Sequence, residues 1–202
     1  MKKKLSIILC LTLLLSVALM GCNSSAKPVE KAPEDEEVVV TNPPEAEPSV
    51  EEQPSDGLSG SAQEVLEQLL TASDFDFGMV EDYAVTEENT ASMLGLTPEE
   101  FSQNVEEAHV STGALTTSAH LVAVIKCNDS AAANHVKDLV AGGFDSGRWI
   151  CVFPQESFVV EAGDYVLLVA SREEGAAALK DAFDTMAGES VGNVNVFFSA
   201  GA

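Results

Sequence analysis

Four cysteines and three histidines are the side chains of this sequence best suited to act as nucleophiles or metal ligands: Cys10, Cys22, Cys127, Cys151, His109, His120 and His135. A zinc site needs three or four such ligands together with partners that orient them. No spacing here offers that, so no metal residue is assigned. His109 and His120 fall on two strands expected to pair, close enough to be diagonal neighbours, and His135 falls on the helix that follows; ordinary surface imidazoles account for all three. Asp74-Phe75-Asp76 alternates as a calcium loop does but lacks the glycine and the distal bidentate glutamate. A Gly-x-Ser-x-Gly elbow is absent, and Cys151, two residues from Trp149, has no paired base legible in the sequence. The acidic pairs Glu99-Glu100, Glu106-Glu107 and Glu173-Glu174 read as solvated faces and caps, not as a general acid and base. The sequence therefore assigns no catalytic residue, no cofactor-binding residue and no cofactor.

Cys22 is different because of what precedes it. Lys2, Lys3 and Lys4 are followed by a charge-free apolar run from Leu5 to Met20, the arrangement of a signal-peptide core. The run ends in Leu19-Met20-Gly21-Cys22, which resembles the lipobox of bacterial lipoproteins. The resemblance implies a diacylglycerol thioether on Cys22, cleavage between Gly21 and Cys22, palmitate-type acylation, and retention on the outer face of the cell membrane. The other reading is an uncleaved membrane span with an incidental cysteine, but a span needs about 20 apolar residues and this run stops at Gly21. Each buried methylene adds about 0.8 kcal/mol, and two acyl chains anchor stably where one is marginal.

Such processing would remove residues 1–21 with three of the ten Lys and Arg and none of the 33 Asp and Glu, taking the formal charge from -23 to -26. That surface repels nucleic acid, which is excluded as a partner. It is read as a device for solubility. In the exported part only Cys127 and Cys151 would remain, either as a disulfide or as two small buried hydrophobes.

Residues 22–60 would then be the lipidated cysteine and a tether. Pro28, Pro33, Pro43, Pro44, Pro48 and Pro54 alternate with acidic runs such as Glu34-Asp35-Glu36-Glu37, a composition with too little to bury to offset its ordering entropy. The valines Val38 to Val40 could make at most a transient strand. Extended, the segment reaches about 120 Å, and as a coil it averages roughly 35 Å.

Residues 61–188 carry the pattern of one α+β domain. Ser61-Ala62-Gln63-Glu64 is a capping box before the stripe Ala62, Val65, Leu66, Leu69 and Leu70. The irregular stretch from Asp74 to Tyr83 reads as loop or short edge strand. A short helix is expected over Glu87 to Leu94 behind Thr86, ending at Gly95, and another after Thr97-Pro98-Glu99-Glu100. Two hairpin–helix units follow. In the first, strands over Asn104 to Ser111 and Ala119 to Cys127 lead to a helix capped at Asp129 or Ser130 and stopped by Gly142-Gly143. In the second, strands over Phe158 to Glu161 and Tyr165 to Ala170 lead to a helix opened by a capping box at Ser171-Arg172-Glu173-Glu174. The expected architecture is an antiparallel sheet of about four to five strands with helices packed mainly on one face.

Leu94-Gly95-Leu96, the segment Ala119-His120-Leu121-Val122-Ala123-Val124-Ile125-Lys126 before a polar-capped helix, and Gly163-Asp164-Tyr165-Val166-Leu167-Leu168-Val169 together resemble domain-of-unknown-function family 4358, found in lipoproteins of Gram-positive clostridial-type bacteria. The resemblance spans most of residues 63–186 and carries no catalytic residues with it. It departs from the family at Arg148-Trp149-Ile150-Cys151-Val152-Phe153-Pro154, which reads as a short extra strand. Phe144, Trp149, Ile150, Val152 and Phe153 either cover the sheet as core or serve recognition, and burying five large apolar residues favours core. The tail, 189–202, resumes strand alternation at Val194 and Val196 before Phe197-Phe198, and is expected to dock as an edge strand; a free peptide awaiting a partner is the alternative.

The function these features imply is a non-catalytic, lipid-anchored extracytoplasmic surface domain that contacts the membrane through its anchor and an envelope protein or cell-wall component through its fold. The alternative is a small envelope hydrolase with an unrecognised active site.

Overall fold

The run Leu121 to Cys127 carries one charge and the run Tyr165 to Ser171 carries none, so neither leaves a face for water. In the computed structural model, which describes residues 57–115 and 117–199, both are strands at the centre of a sheet. The strands are β1 Val80–Ala84, β2 Val105–Gly113, β3 Leu121–Cys127, β4 Glu156–Ala162, β5 Tyr165–Ser171 and β6 Asn195–Ser199. Their order is β1-β2-β3-β5-β4-β6 and every pairing is antiparallel. The fold is α+β, with six strands instead of the four or five expected. Asp74 to Tyr83 supplies one edge, where β1 pairs with β2, and the tail supplies the other, where β6 pairs with β4.

The helices are α1 Ala62–Ala72, α2 Thr90–Leu94, α3 Pro98–Asn104, α4 Ser130–Gly143 and α5 Glu173–Ala187. They cover both faces of the sheet, which corrects the expectation of one. Leu121, Ala123 and Ile125 of β3 and Val166, Leu168 and Ala170 of β5 pack with Ala133, Val136 and Val140 of α4 and with Leu94 and Phe101. Val122 and Val124, Leu167 and Val169 pack with Val65, Leu66 and Leu69 of α1 and Leu179 and Phe183 of α5. The reason is in the strands: every position of β5 is buried, and a strand with two apolar faces needs two layers of cover.

Helix starts follow local chemistry. Ser61 Oγ accepts from Glu64 N at 3.1 Å while Glu64 Oε2 accepts from Ser61 N at 2.8 Å, and Thr97 and Glu100 repeat this box at α3 behind Pro98. The carboxylate of Glu107 also accepts from Ala62 N at 2.7 Å, tying the first turn of α1 to β2. The third box, at Ser171 to Glu174, does not form. Ser171 ends β5 opposite Glu156, and Gln155 Oε1 accepts from Glu173 N at 3.1 Å in its place. Glu87 does not open α2 either. Asn89 Oδ1 accepts from Thr86 N at 2.7 Å, closing a turn, and the helix begins at Thr90.

Asp129 caps α4, which ends at Gly142-Gly143 as expected, with Phe144 already extended. Gly143 lies against Gly95, the left-handed residue (φ 77°) that ends α2, and a Cβ on either would overlap the backbone of the other. The last residue of the helix thus also sets a close backbone crossing. Lys137 of α4 meets Glu161 of β4 at 2.7 Å, both nearly buried, and the Glu161 carbonyl accepts from Gly192 N at 2.8 Å as the chain turns towards β6. Phe197 of β6 packs edge-on against Phe144 with centroids 5.9 Å apart. Val196 points outward and stays exposed.

Candidate functional site

Arg148 to Pro154 does not form the extra strand expected of it. It is a loop between α4 and β4, pinned at both ends. At the start, Phe144 is buried, Asp145 Oδ1 accepts from Gly147 N at 2.8 Å, and Ser146 Oγ donates to Ser157 Oγ at 3.3 Å. At the end, Gln155 N donates to the Ser171 carbonyl at 2.8 Å. Between these pins the five apolar residues divide. Phe144 and Trp149 join the core on the α4 side, whereas Ile150 is 90% exposed and Phe153 62% exposed. The expectation that all five are core is corrected for these two. The alternation that suggested a strand comes from residues pointing in and out of a loop.

A polar cluster surrounds Arg148 at the start of the loop. Arg148 lies over the Trp149 ring at 5.5 Å, and its Nη2 sits 3.4 Å from Met93 Sδ, which also accepts from Tyr83 Oη at 3.2 Å. Arg148 has no carboxylate partner among the described residues, and its buried Nη1 has no hydrogen-bond partner. Burial holds the guanidinium below its usual pKa, opposed by Tyr83 and Asp145. Cys151 is exposed and free beside Ile150, and Cys127 is free and buried at the end of β3. No bridge joins them. Burial pushes the Cys127 thiol up to about 12, which leaves it inert.

A second cluster lies on the opposite face, at the end of the sheet. His120 Nδ1 is 3.0 Å from Ser171 Oγ, and each side chain's residue is 2% exposed. Phe77 stacks on the imidazole at 4.4 Å, Phe75 packs on Phe77 at 4.9 Å, and Arg172 lies over Phe75 at 5.2 Å. Gly175 makes room for this cover, since a Cβ there would meet Phe77 at 2.9 Å, Phe75 at 3.1 Å and Ser171 Oγ at 3.1 Å. His120 Nε2 and Ser111 Oγ are buried without hydrogen-bond partners. Desolvation, with Arg172 nearby, brings the imidazole pKa down to about 4 against a smaller opposing effect of Asp82. The pair has the atoms of a nucleophile and a base, but the aromatic cover keeps solutes from Ser171.

His109 and His120 are not diagonal neighbours. His109 stands opposite Val124, while the His120 carbonyl accepts from Gly113 N, four residues or roughly 13 Å further along β3. His135 is exposed on α4. No group of three or more His, Cys, Asp or Glu able to hold a metal ion occurs among the described residues. Asp74 to Asp76 forms a turn in which Asp76 Oδ1 accepts from Gly78 N, and its use is to present Phe75 and Phe77 to His120. The His120–Ser171 pair is hidden in the sequence because Ser171 also carries the local signature of a helix cap. The signal available was position: His120 precedes β3 by one residue and Ser171 ends β5, and antiparallel register sets them opposite.

Comparisons with protein-family models, curated proteins and solved structures find no match to this chain. Residues 1–21, Gly21 and Cys22 with their cleavage and lipidation, and most of the 22–60 segment, including Val38 to Val40, lie outside the described residues. No helix among the described residues is long and apolar enough to cross a membrane.

Proposed function

We propose that this chain is a lipoprotein, similar to family 4358, held on the outer face of the cell membrane through Cys22, and that its domain binds an envelope component without catalysing a reaction. The observation that carries the binding role is the display of Ile150 and Phe153 on a loop whose two ends are fixed. Two large apolar side chains held in water on a pinned support cost solvation free energy that the fold had the means to avoid. An aromatic and an aliphatic side chain on a loop that also carries an arginine and a tryptophan have the composition of interface centres. The acidic tether would hold this surface away from the headgroups, and the acidity excludes nucleic acid as the partner.

The anchor is tested by labelling cells with an alkyne fatty acid, where Cys22→Ser is expected to lose the label and a labelled Cys22→Ser variant overturns the lipidation. The binding role is tested by chemical crosslinking of the full-length chain in intact cells. Discrete high-mass adducts are expected for the wild type and should vanish in an Ile150→Asp, Phe153→Asp variant with unchanged melting temperature. Adducts that persist in that variant place the contact elsewhere.

A further inference from the structure

We infer that Asp74 to Met79, the connection from α1 to β1, is a strap seated on His120, and that a second proton on the imidazole lifts it, giving this end of the sheet an acid-responsive aromatic cover. The strap is independent of the binding role of the 148–153 loop. Rings anchor it. Phe77 lies on His120 with centroids 4.4 Å apart and planes 22° from parallel, Phe75 leans on Phe77, and Arg172 lies over Phe75. Among the described residues, the one hydrogen bond from 75–78 to another element runs from Arg172 Nη2 to the Asp76 carbonyl, at 3.4 Å. Asp74 at φ 47° and Gly78 at φ 75° bound the segment with left-handed turns. For an aspartate that conformation stores strain, which opening releases. A segment with half-buried side chains and so few hydrogen bonds opens at lower cost than the core.

The trigger lies beneath the strap. His120 Nδ1 faces Ser171 Oγ at 3.0 Å, and Nε2 is buried without a hydrogen-bond partner. The neutral ring leaves one nitrogen idle, whereas the protonated ring has two N–H donors, a charge and a single acceptor in reach. Raising Phe77 lets water reach the second donor. The surrounding charges do not supply an acceptor in its place. Arg172 at the start of α5 opposes the second proton, Asp82 of β1 favours it by a smaller effect, and Ser111 of β2 is neutral. Asp74 and Asp76 of the strap, Glu81 of β1, and Glu173 and Glu174 of α5 are exposed. With the covered ring titrating at about 4 and the uncovered ring near the usual 6.5, the ratio of open to closed strap rises about hundredfold between pH 7 and pH 4.

The test places 4-fluorophenylalanine at position 77 of the full-length chain in detergent micelles, and separately at position 183, where Phe183 is fully buried and reports global unfolding. Fluorine NMR then follows the ratio of water-exposed to covered signal. At 77 the ratio is expected to rise about hundredfold from pH 7 to pH 4, ahead of any change at 183, and to stay nearly level in His120→Gln. A ratio at 77 that does not rise, that rises only in step with 183, or that rises equally in His120→Gln overturns the inference. If that variant fails to fold, the wild-type ring signals of His120 decide. They should shift over the same pH range as the ratio at 77, and a ratio that moves without them overturns the inference.

Discussion

Acidification should weaken the fold through His120. Its folded pKa, about 4, lies below the usual 6.5 because the charged form would be buried beneath Phe77 and beside Arg172. Between these values the unfolded chain binds a proton that the folded chain refuses, so stability is fully present above pH 6.5 and falls as pH drops towards 4. Below about 4 both states are protonated and the loss stops growing. The gap corresponds to about 3 kcal/mol at 1.36 kcal/mol per pKa unit. Carboxylates such as Glu64 and Glu100, whose pKa values are lowered by their capping hydrogen bonds, also weaken the fold in acid. A His120→Gln variant isolates the imidazole because those carboxylates are common to both proteins. Urea unfolding at half-unit steps from pH 7 to pH 4 should show the wild type losing about 3 kcal/mol more than the variant over that range. Parallel curves would mean that His120 is hydrated in the folded state, and the aromatic cover over it would be wrong.

Lys137→Ala leaves Glu161 nearly buried without its cation and should cost about 3 kcal/mol, read by chemical denaturation; a loss below about 1 kcal/mol means the carboxylate reaches water. Gly143→Ala forces apart the crossing with Gly95 and should destabilise by about 2 kcal/mol despite alanine's higher helix propensity, whereas stabilisation would show a looser crossing. Truncation after Gly188 removes β6 and the Phe197 contact with Phe144, and should lower the melting temperature and raise dye binding; an unchanged melting curve makes β6 dispensable. In the native protein Cys151 should react with a thiol reagent while Cys127 stays protected until unfolding, and equal rates would contradict the burial of Cys127.

How far the sequence could be read follows from the range of the signals. Both observed capping boxes lie within four residues and depend on no tertiary partner, so Ser61 and Thr97 were legible. Ser171 carried the same local signature, yet β5 extends one residue further to place its hydroxyl on His120. Pairing with Glu156 in the ladder and a buried side-chain contact with His120, 51 residues away, outcompete a cap worth about 1 kcal/mol. The continuous apolar runs of β3 and β5 carry the signature of strands covered on both faces, and the second helical layer follows from them. Gly143 ends α4 as its sequence position implies, but its close crossing with Gly95 was not legible, because it depends on a backbone 48 residues away. In the 148–153 loop, hydrophobicity alone could not separate Trp149, which packs inward, from Ile150, which does not.

The account's central claim is that this domain works by contact through Ile150 and Phe153. Its most direct measurement is photocrosslinking in intact cells from a light-activated amino acid placed in the full-length chain at position 150, at 153, and at exposed Glu87 as control. The account predicts discrete adducts from 150 and 153 and none from 87. Adducts from 87 alone, or equal and diffuse products from all three positions, would contradict it.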